Sequence, residues 1–240
     1  MKLPFFVGSL PFQSVEKAIQ FVKDNSSHLP FLPQLPELNP QEDMIGQVLR
    51  GFELGHWDQT ASIALEAFQN AFCESPRFKI QIAGPYTVAR TLSLPVEEIY
   101  PQWEKLVLGI SKQLRQGAFL GELWLQIDEP YWPPKGTAYL LEKLRGKIAK
   151  AVLGIHSCAT ERSRPEADEL ALFQFFSLDC SRTPFSETER EFWGKWMDED
   201  PRRVFAWGHP IDSPQTLDPW ALSRSQIWLS APCGLYGQSL

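Results

Sequence analysis

Short apolar runs recur along the chain, and most end in Gly, Pro, Asp or a polar cluster. Runs of this length between such breakers predict strands buried on both faces. Eight segments qualify: Leu3–Val7, Pro30–Leu32, Lys79–Ala83, Leu123–Ile127, Ala151–Ile155, Phe173–Leu178, Arg203–Trp207 and Gln226–Leu229. The second is hemmed in by Pro30, Pro33 and Pro36, residues that cannot donate to a ladder. Between the strands, Ser14–Lys23 sets Val15, Ala18, Ile19 and Val22 on one helical face, and Glu98–Gln116 does the same with Ile99, Trp103, Leu106, Ile110 and Leu114. Ala61–Phe72, Thr137–Lys147, Pro165–Leu170 and Glu187–Met197 are further helical segments. Strands alternating with helices predict a parallel α/β fold. Eight of them predict a (β/α)8 TIM-type barrel over residues 1–240 as a single domain, with an open doubly wound sheet as the alternative. The chain ends seven residues after Cys233, so the barrel is expected to be short and to lack a normal final helix.

Composition narrows the class. The 240 residues are 43% hydrophobic and 22% charged, and the net charge is -6. This is ordinary for one globular domain and argues against a nucleic-acid partner, which needs clustered Lys and Arg. The opening MKLPFFVGSLPF is broken by Pro4, Gly8 and Pro11, so neither a signal peptide nor a membrane span is expected and a cytoplasmic location is. In that reducing compartment Cys73, Cys158, Cys180 and Cys233 are expected to be buried, catalytic or metal-bound rather than disulfide-paired. No Gly-x-Gly-x-x-Gly or Gly-x-x-x-x-Gly-Lys motif follows a strand, which removes the usual dinucleotide and nucleoside-triphosphate readings.

Candidate chemistry gathers at strand ends. In Gly154-Ile155-His156-Ser157-Cys158 an imidazole and a thiol stand two residues apart after an apolar strand, so both point the same way. Cys233 follows the last apolar run, and Asp179, with Cys180 beside it, closes the sixth. In a barrel all these ends open on one face, where His, Cys and carboxylate groups suit zinc. Two readings stand at this point: a zinc site, or two small core thiols and a strand-end histidine. Gln126-Ile127-Asp128-Glu129-Pro130 brings two carboxylates to the same end. Asp128 suits a substrate ammonium, or the motif caps the helix that follows it. Gly8-Ser9 offers main-chain N–H groups for a carboxylate, or forms a plain turn.

Taken in order, these segments resemble the C-terminal catalytic barrel of cobalamin-independent methionine synthase, within the superfamily that also holds uroporphyrinogen decarboxylase-like barrels. The likeness spans nearly the whole chain. It rests on Gly8-Ser9, Gly84-Pro85-Tyr86-Thr87, Gln126 to Pro130, His156-Ser157-Cys158, Ser177 to Arg182 and Cys233-Gly234-Leu235. The resemblance implies a zinc-dependent methyltransferase acting on the sulfur of homocysteine. Its zinc ligands would be His156, Cys158, Asp179 and Cys233, and its substrate-binding residues Gly8, Ser9, Gln34, Asp128 and Glu129. It also implies catalytic roles for Asp128, His209 and Asp212.

Four departures stand out. Asp179 replaces the family's Glu, with Cys180 the substitute ligand. Asp212 stands where the family carries a catalytic His, for which His209 is the candidate replacement. Gln34 lies near the position of an acidic residue that holds the substrate amine. No Trp follows Thr87 to stack on folate, which points to a methylcorrinoid donor, free or on a separate corrinoid protein, instead of methyltetrahydrofolate. The competing expectations are a methyltransferase for another small thiol such as coenzyme M, a zinc-free porphyrinogen decarboxylase-like barrel, and a non-catalytic zinc-binding subunit. The missing final helix predicts self-association or a partner.

Overall fold

A computed structural model of the chain describes residues 3–58, 62–116, 119–130, 137–148, 151–158, 167–180, 185–208 and 218–230. Seven parallel strands form one curled sheet: β1 (Pro4–Phe5), β2 (Arg77–Ala83), β3 (Glu122–Asp128), β4 (Ala151–Ser157), β5 (Phe175–Asp179), β6 (Val204–Gly208) and β7 (Ile227–Ser230), in the order 1-7-6-5-4-3-2. The arrangement is an α/β half-barrel, compatible with a partial TIM-type barrel. Among the described residues the expected eighth strand, Pro30–Leu32, is a single bridge between Phe31 and Lys79. The reason is chemical: the Pro30 carbonyl accepts from Lys79 N at 2.7 Å and Leu32 N donates to Lys79 O at 2.9 Å, but Pro30 and Pro33 have no N–H with which to extend the ladder. The segment nevertheless links the two edges of the sheet. Beyond the bridge to β2, Gln34 N donates to Gly8 O at 3.0 Å and Leu10 N to Gln34 O at 2.9 Å, just after β1.

Alternation along each strand explains why both faces of the sheet are covered. On β3, Leu123, Leu125 and Ile127 pack outward into the main core, while Trp124 faces inward. On β5, Phe176 and Leu178 go outward and Phe175 inward, and on β6 Phe205 and Trp207 go outward while Val204 and Ala206 go inward. The inner apolar cluster is an aromatic floor. Trp124 stacks on Phe175 at 5.2 Å and on Trp228 at 5.7 Å, and Phe5 tilts against Phe175 at 5.5 Å. Gly154 is required here, because a Cβ would lie 2.2 Å from the Phe175 ring.

The outer face carries α1 (Val15–Asn25), α2 (Met44–Leu54), α3 (Leu65–Phe72), α4 (Pro85–Leu92), α5 (Val96–Gln116), α6 (Thr137–Lys147), the single turn α7 (Ala167–Leu170), α8 (Glu187–Asp198) and the short α9 (Pro219–Ser223). Six correspond to expected helices. Ser14 caps α1 and Ser186 forms a capping box with Glu189 on α8. Three were not expected from the pattern. Two glycines weaken the helical signal of α2, yet Gly51 is where it meets α5, since a Cβ there would come within 2.8 Å of Leu106. The helix α4 opens on Gly84-Pro85 and lacks a side-chain cap of its own. No helix among the described residues is long and apolar enough to cross a membrane.

The floor should carry much of the stability. Trp124→Ala is expected to destabilise the protein by about 3–5 kcal/mol through the cavity it leaves. By contrast, Leu120→Ala, at a side chain 82% exposed, should change stability by no more than about 0.5 kcal/mol. Urea denaturation of the two variants checks both values.

Candidate functional site

Above the aromatic floor the sheet interior turns polar. Lys79 and Gln81 on β2 and Gln126 and Asp128 on β3 face inward, with His156 on β4 and Ser177 on β5 completing the layer; all are buried. Gln81 pairs in register with Gln126, Asp128 with His156, and His156 with Ser177. Lys79 and Gln81 of this layer were not singled out from the sequence. The signal was nonetheless present in Arg77-Phe-Lys79-Ile-Gln81, where polar residues alternate with apolar ones at the period of a strand.

Lys79 is the centre of the layer. Its ammonium donates to Val7 O at 3.0 Å, Gln126 Oε1 at 3.1 Å and Gln81 Oε1 at 3.4 Å, and lies 5.2 Å from the Phe5 ring centre and 5.7 Å from that of Phe31. Burial pushes it down to about 7, against the pull of the Asp128 charge. On one side Gln126 Nε2 donates to Asp128 Oδ1 at 2.7 Å. On the other, Gln81 Nε2 donates to Gln34 Oε1, and Gln34 Nε2 to Gln47 Oε1 at 2.9 Å. Ser9 Oγ joins this arm through Gln34 Oε1 at 3.4 Å. Gly8 holds φ at +129°, and a Cβ on it would meet the Gln81 amide at 2.3 Å. Gly8, Ser9, Gln34 and Asp128, four of the residues expected at a substrate site, are thus gathered around one polar network.

Asp128 stands out within it. Its Oδ2 is buried and has no hydrogen-bond partner, an arrangement that penalises the charged form. Burial raises its carboxyl to about 6, while His156 and the Gln126 amide act in the other direction. Glu129 differs from the expectation that both carboxylates serve the substrate. Neighbouring residues of a strand point to opposite sides, and Glu129 turns outward. It accepts from Tyr86 N and Thr87 N at 2.9 Å each, and from Thr87 Oγ1. It therefore supplies the N-terminal cap that α4 lacks, which also explains Gly84, where a Cβ would lie 2.1 Å from Glu129 Oε1.

At the strand ends His156 and Cys158 come together. The Cys158 side chain hydrogen-bonds the imidazole, and although burial lowers the affinity of His156 for a proton, Cys158 and Asp128 outweigh it and leave the group raised. His156 Nδ1 is held by Ser177 Oγ at 3.0 Å, the kind of outer contact that orients a metal-binding ring. Ser157 pairs with Leu178, so the register carried one residue further sets Cys158 level with Asp179. Cys180, the alternative ligand, belongs to the outward-facing apolar core, with Sγ toward Leu178 O at 3.5 Å. A soft thiol and an oriented imidazole suit zinc, yet among the described residues no three His, Cys, Asp or Glu side chains form a metal-holding group. Cys233, His209 and Asp212 lie outside the described residues.

A cavity of about 490 Å³ opens at the opposite end of the strands, lined in part by Arg77, Trp124, Arg202, Arg203 and Trp228. Its arginines are engaged: Arg202 with Asp200 at 2.7 Å, Arg203 with Glu199 at 2.8 Å, and Arg77 Nε with His28 O at 2.9 Å. The polar interior, with its unpartnered carboxylate oxygen, is the better candidate site. Neither a protein-family model nor a curated protein matches the chain.

The Glu129 cap carries a pH signature. Burial raises its carboxyl from 4.5 to about 7, so the folded chain keeps a proton that the unfolded chain releases at lower pH. The stability this group confers is therefore full below about pH 4.5 and is lost as pH rises toward 7. Glu129→Gln should flatten that part of the decline, leaving the parts due to Glu42, which burial also raises to about 7, and to Asp128, raised to about 6. Urea midpoints at several pH values across this window, compared between variant and parent, check the slope.

Proposed function

We propose that the chain is a short (β/α)8 barrel of the methionine synthase and uroporphyrinogen decarboxylase-like superfamily, and a zinc-dependent methyltransferase that converts homocysteine to methionine. The observation that carries this reading is the unpartnered, buried Asp128 Oδ2 beside the His156–Cys158 pair. One group asks for a cation and the other for a soft metal, and an amino-acid thiol satisfies both requirements. A sulfonate thiol has no ammonium to offer Asp128.

His156, Cys158, Asp179 and Cys233 would hold the zinc. When bound, zinc keeps the substrate thiol ionised, which for a free thiol of pKa near 8.5 holds only about 3% of the time at pH 7. That gain is at most about thirtyfold, so the remaining acceleration falls to residues that position the substrate. Asp128 Oδ2 takes the ammonium, and the Gly8-Ser9 loop beside Gln34 receives the carboxylate, which fixes the chain that carries the sulfur. In the transfer the sulfur lone pair forms the new C–S bond, the bond from carbon to the donor breaks with its electron pair left on the donor, and the thiol proton is released. Two features of the sequence favour a methylcorrinoid as donor: no Trp follows Gly84-Pro85-Tyr86-Thr87, and no glycine-rich S-adenosylmethionine loop is present.

Purified protein is expected to contain about one zinc per chain by elemental analysis, and Cys158→Ala to lose most of it while remaining folded. With homocysteine and methylcobalamin the loaded protein should form methionine, and with methyltetrahydrofolate it should not. Protein that folds without zinc, or that forms methionine from neither donor, overturns the assignment.

A further inference from the structure

We infer that Lys79 is a positioning residue that sets the recognition of the substrate's amino-acid end, although its own ammonium does not reach the substrate. The inference rests on the homocysteine reading and goes beyond it, because it assigns a role to a residue outside the expected substrate and zinc sets.

The argument follows from donor and acceptor counts. An ammonium has three N–H donors and no acceptor. All three of these donors are engaged, by Val7 O, Gln81 Oε1 and Gln126 Oε1. A primary amide can turn either way, donating or accepting, unless a neighbour decides. Lys79 decides for both glutamines, since each must present its oxygen to the ammonium. Gln126 then has only its NH2 to offer Asp128, and donates to Oδ1, leaving Oδ2 as the oxygen without a partner. Gln81 likewise has its NH2 for Gln34 Oε1, the same oxygen that Ser9 Oγ meets. Below about pH 7, where Lys79 carries its proton, one buried cation therefore polarises two arms, toward the expected ammonium subsite and toward the expected carboxylate loop. A neutral residue of the same shape would remove the contact that fixes both oxygens, leaving Gln126 held only through its NH2, by Asp128 Oδ1 at 2.7 Å and weakly by Gln81 Oε1 at 3.5 Å.

Two measurements on the zinc-loaded protein test this. The first needs no substrate. The Gln126 side-chain NH2 signals, assigned by their absence from Gln126→Glu, should be resolved and slow to exchange in the parent and averaged in Lys79→Met. The second compares dissociation constants for homocysteine and 4-mercaptobutyrate, which has the thiol and carboxylate but no amine. The parent should prefer homocysteine by about ten- to hundredfold, the range of one charge-assisted hydrogen bond. Lys79→Met and Asp128→Asn should each remove most of that preference, and the double variant should lose no more than either alone. If Lys79→Met keeps both the amide signals and the preference, the inference falls while the homocysteine reading stands. If the parent shows no preference, the homocysteine reading falls and the inference that rests on it falls with it. Should Lys79→Met fail to fold, Gln126→Leu, which cuts the same relay, takes its place, and a retained preference overturns the inference.

Discussion

A buried ammonium must find acceptors for all of its protons, and the interior of this protein is arranged around that requirement at Lys79. Its main chain forms the bridge to Phe31 that brings in the segment linking the sheet's two edges. Its ammonium lies over the rings of Phe5 and Phe31 and donates to Val7 O, Gln81 and Gln126. Leaving such a charge unpaired in an apolar interior is far more unfavourable than a neutral gap. The two glutamines, and through them Gln34 and Asp128, are therefore part of the condition under which the sheet can close around this residue.

The interior is layered, with apolar packing at one end and polar groups at the other. At one end the Trp124, Phe175 and Trp228 stack closes the bottom of the curl with apolar area. At the other end the strands deliver Asp128, His156 and Asp179. Between them lies a hydrogen-bonded polar layer centred on Lys79. Such a layer is rigid when fully satisfied, and among the described residues its unsatisfied atom is Asp128 Oδ2, on the carboxylate that interacts electrostatically with His156 and Cys158. Asp128 and Glu129, adjacent in the chain, illustrate the division: one faces the layer, while the other holds α4 from outside.

Much of this was legible from residue order. Apolar runs located every strand of the sheet, and the spacing of His156 and Cys158 placed both on one face, as the structure has them. The role of Glu129 was not legible, because a carboxylate after a strand caps a helix or meets a ligand according to which helix lies beside it. That the residues around Phe31 form a bridge and not a strand follows from Pro30 and Pro33, but that the bridge joins both edges does not. Lys79 and Gln81 showed only as polar positions in an otherwise apolar strand.

The sequence by itself thus determined the parallel α/β class, the strand ends as the place where His156, Cys158 and Asp179 stand, and the pairing of an imidazole with a thiol, since these depend on local periodicity that neighbouring elements do not change. Tertiary structure alone decided which polar groups meet. Gln34, Gln81, Gln126 and Asp128 are spread over 95 positions from first to last, and only closure of the sheet around Lys79 sets their amide dipoles in one sequence. The orientation of a side-chain amide is a property of what faces it, and that is absent from the order of residues.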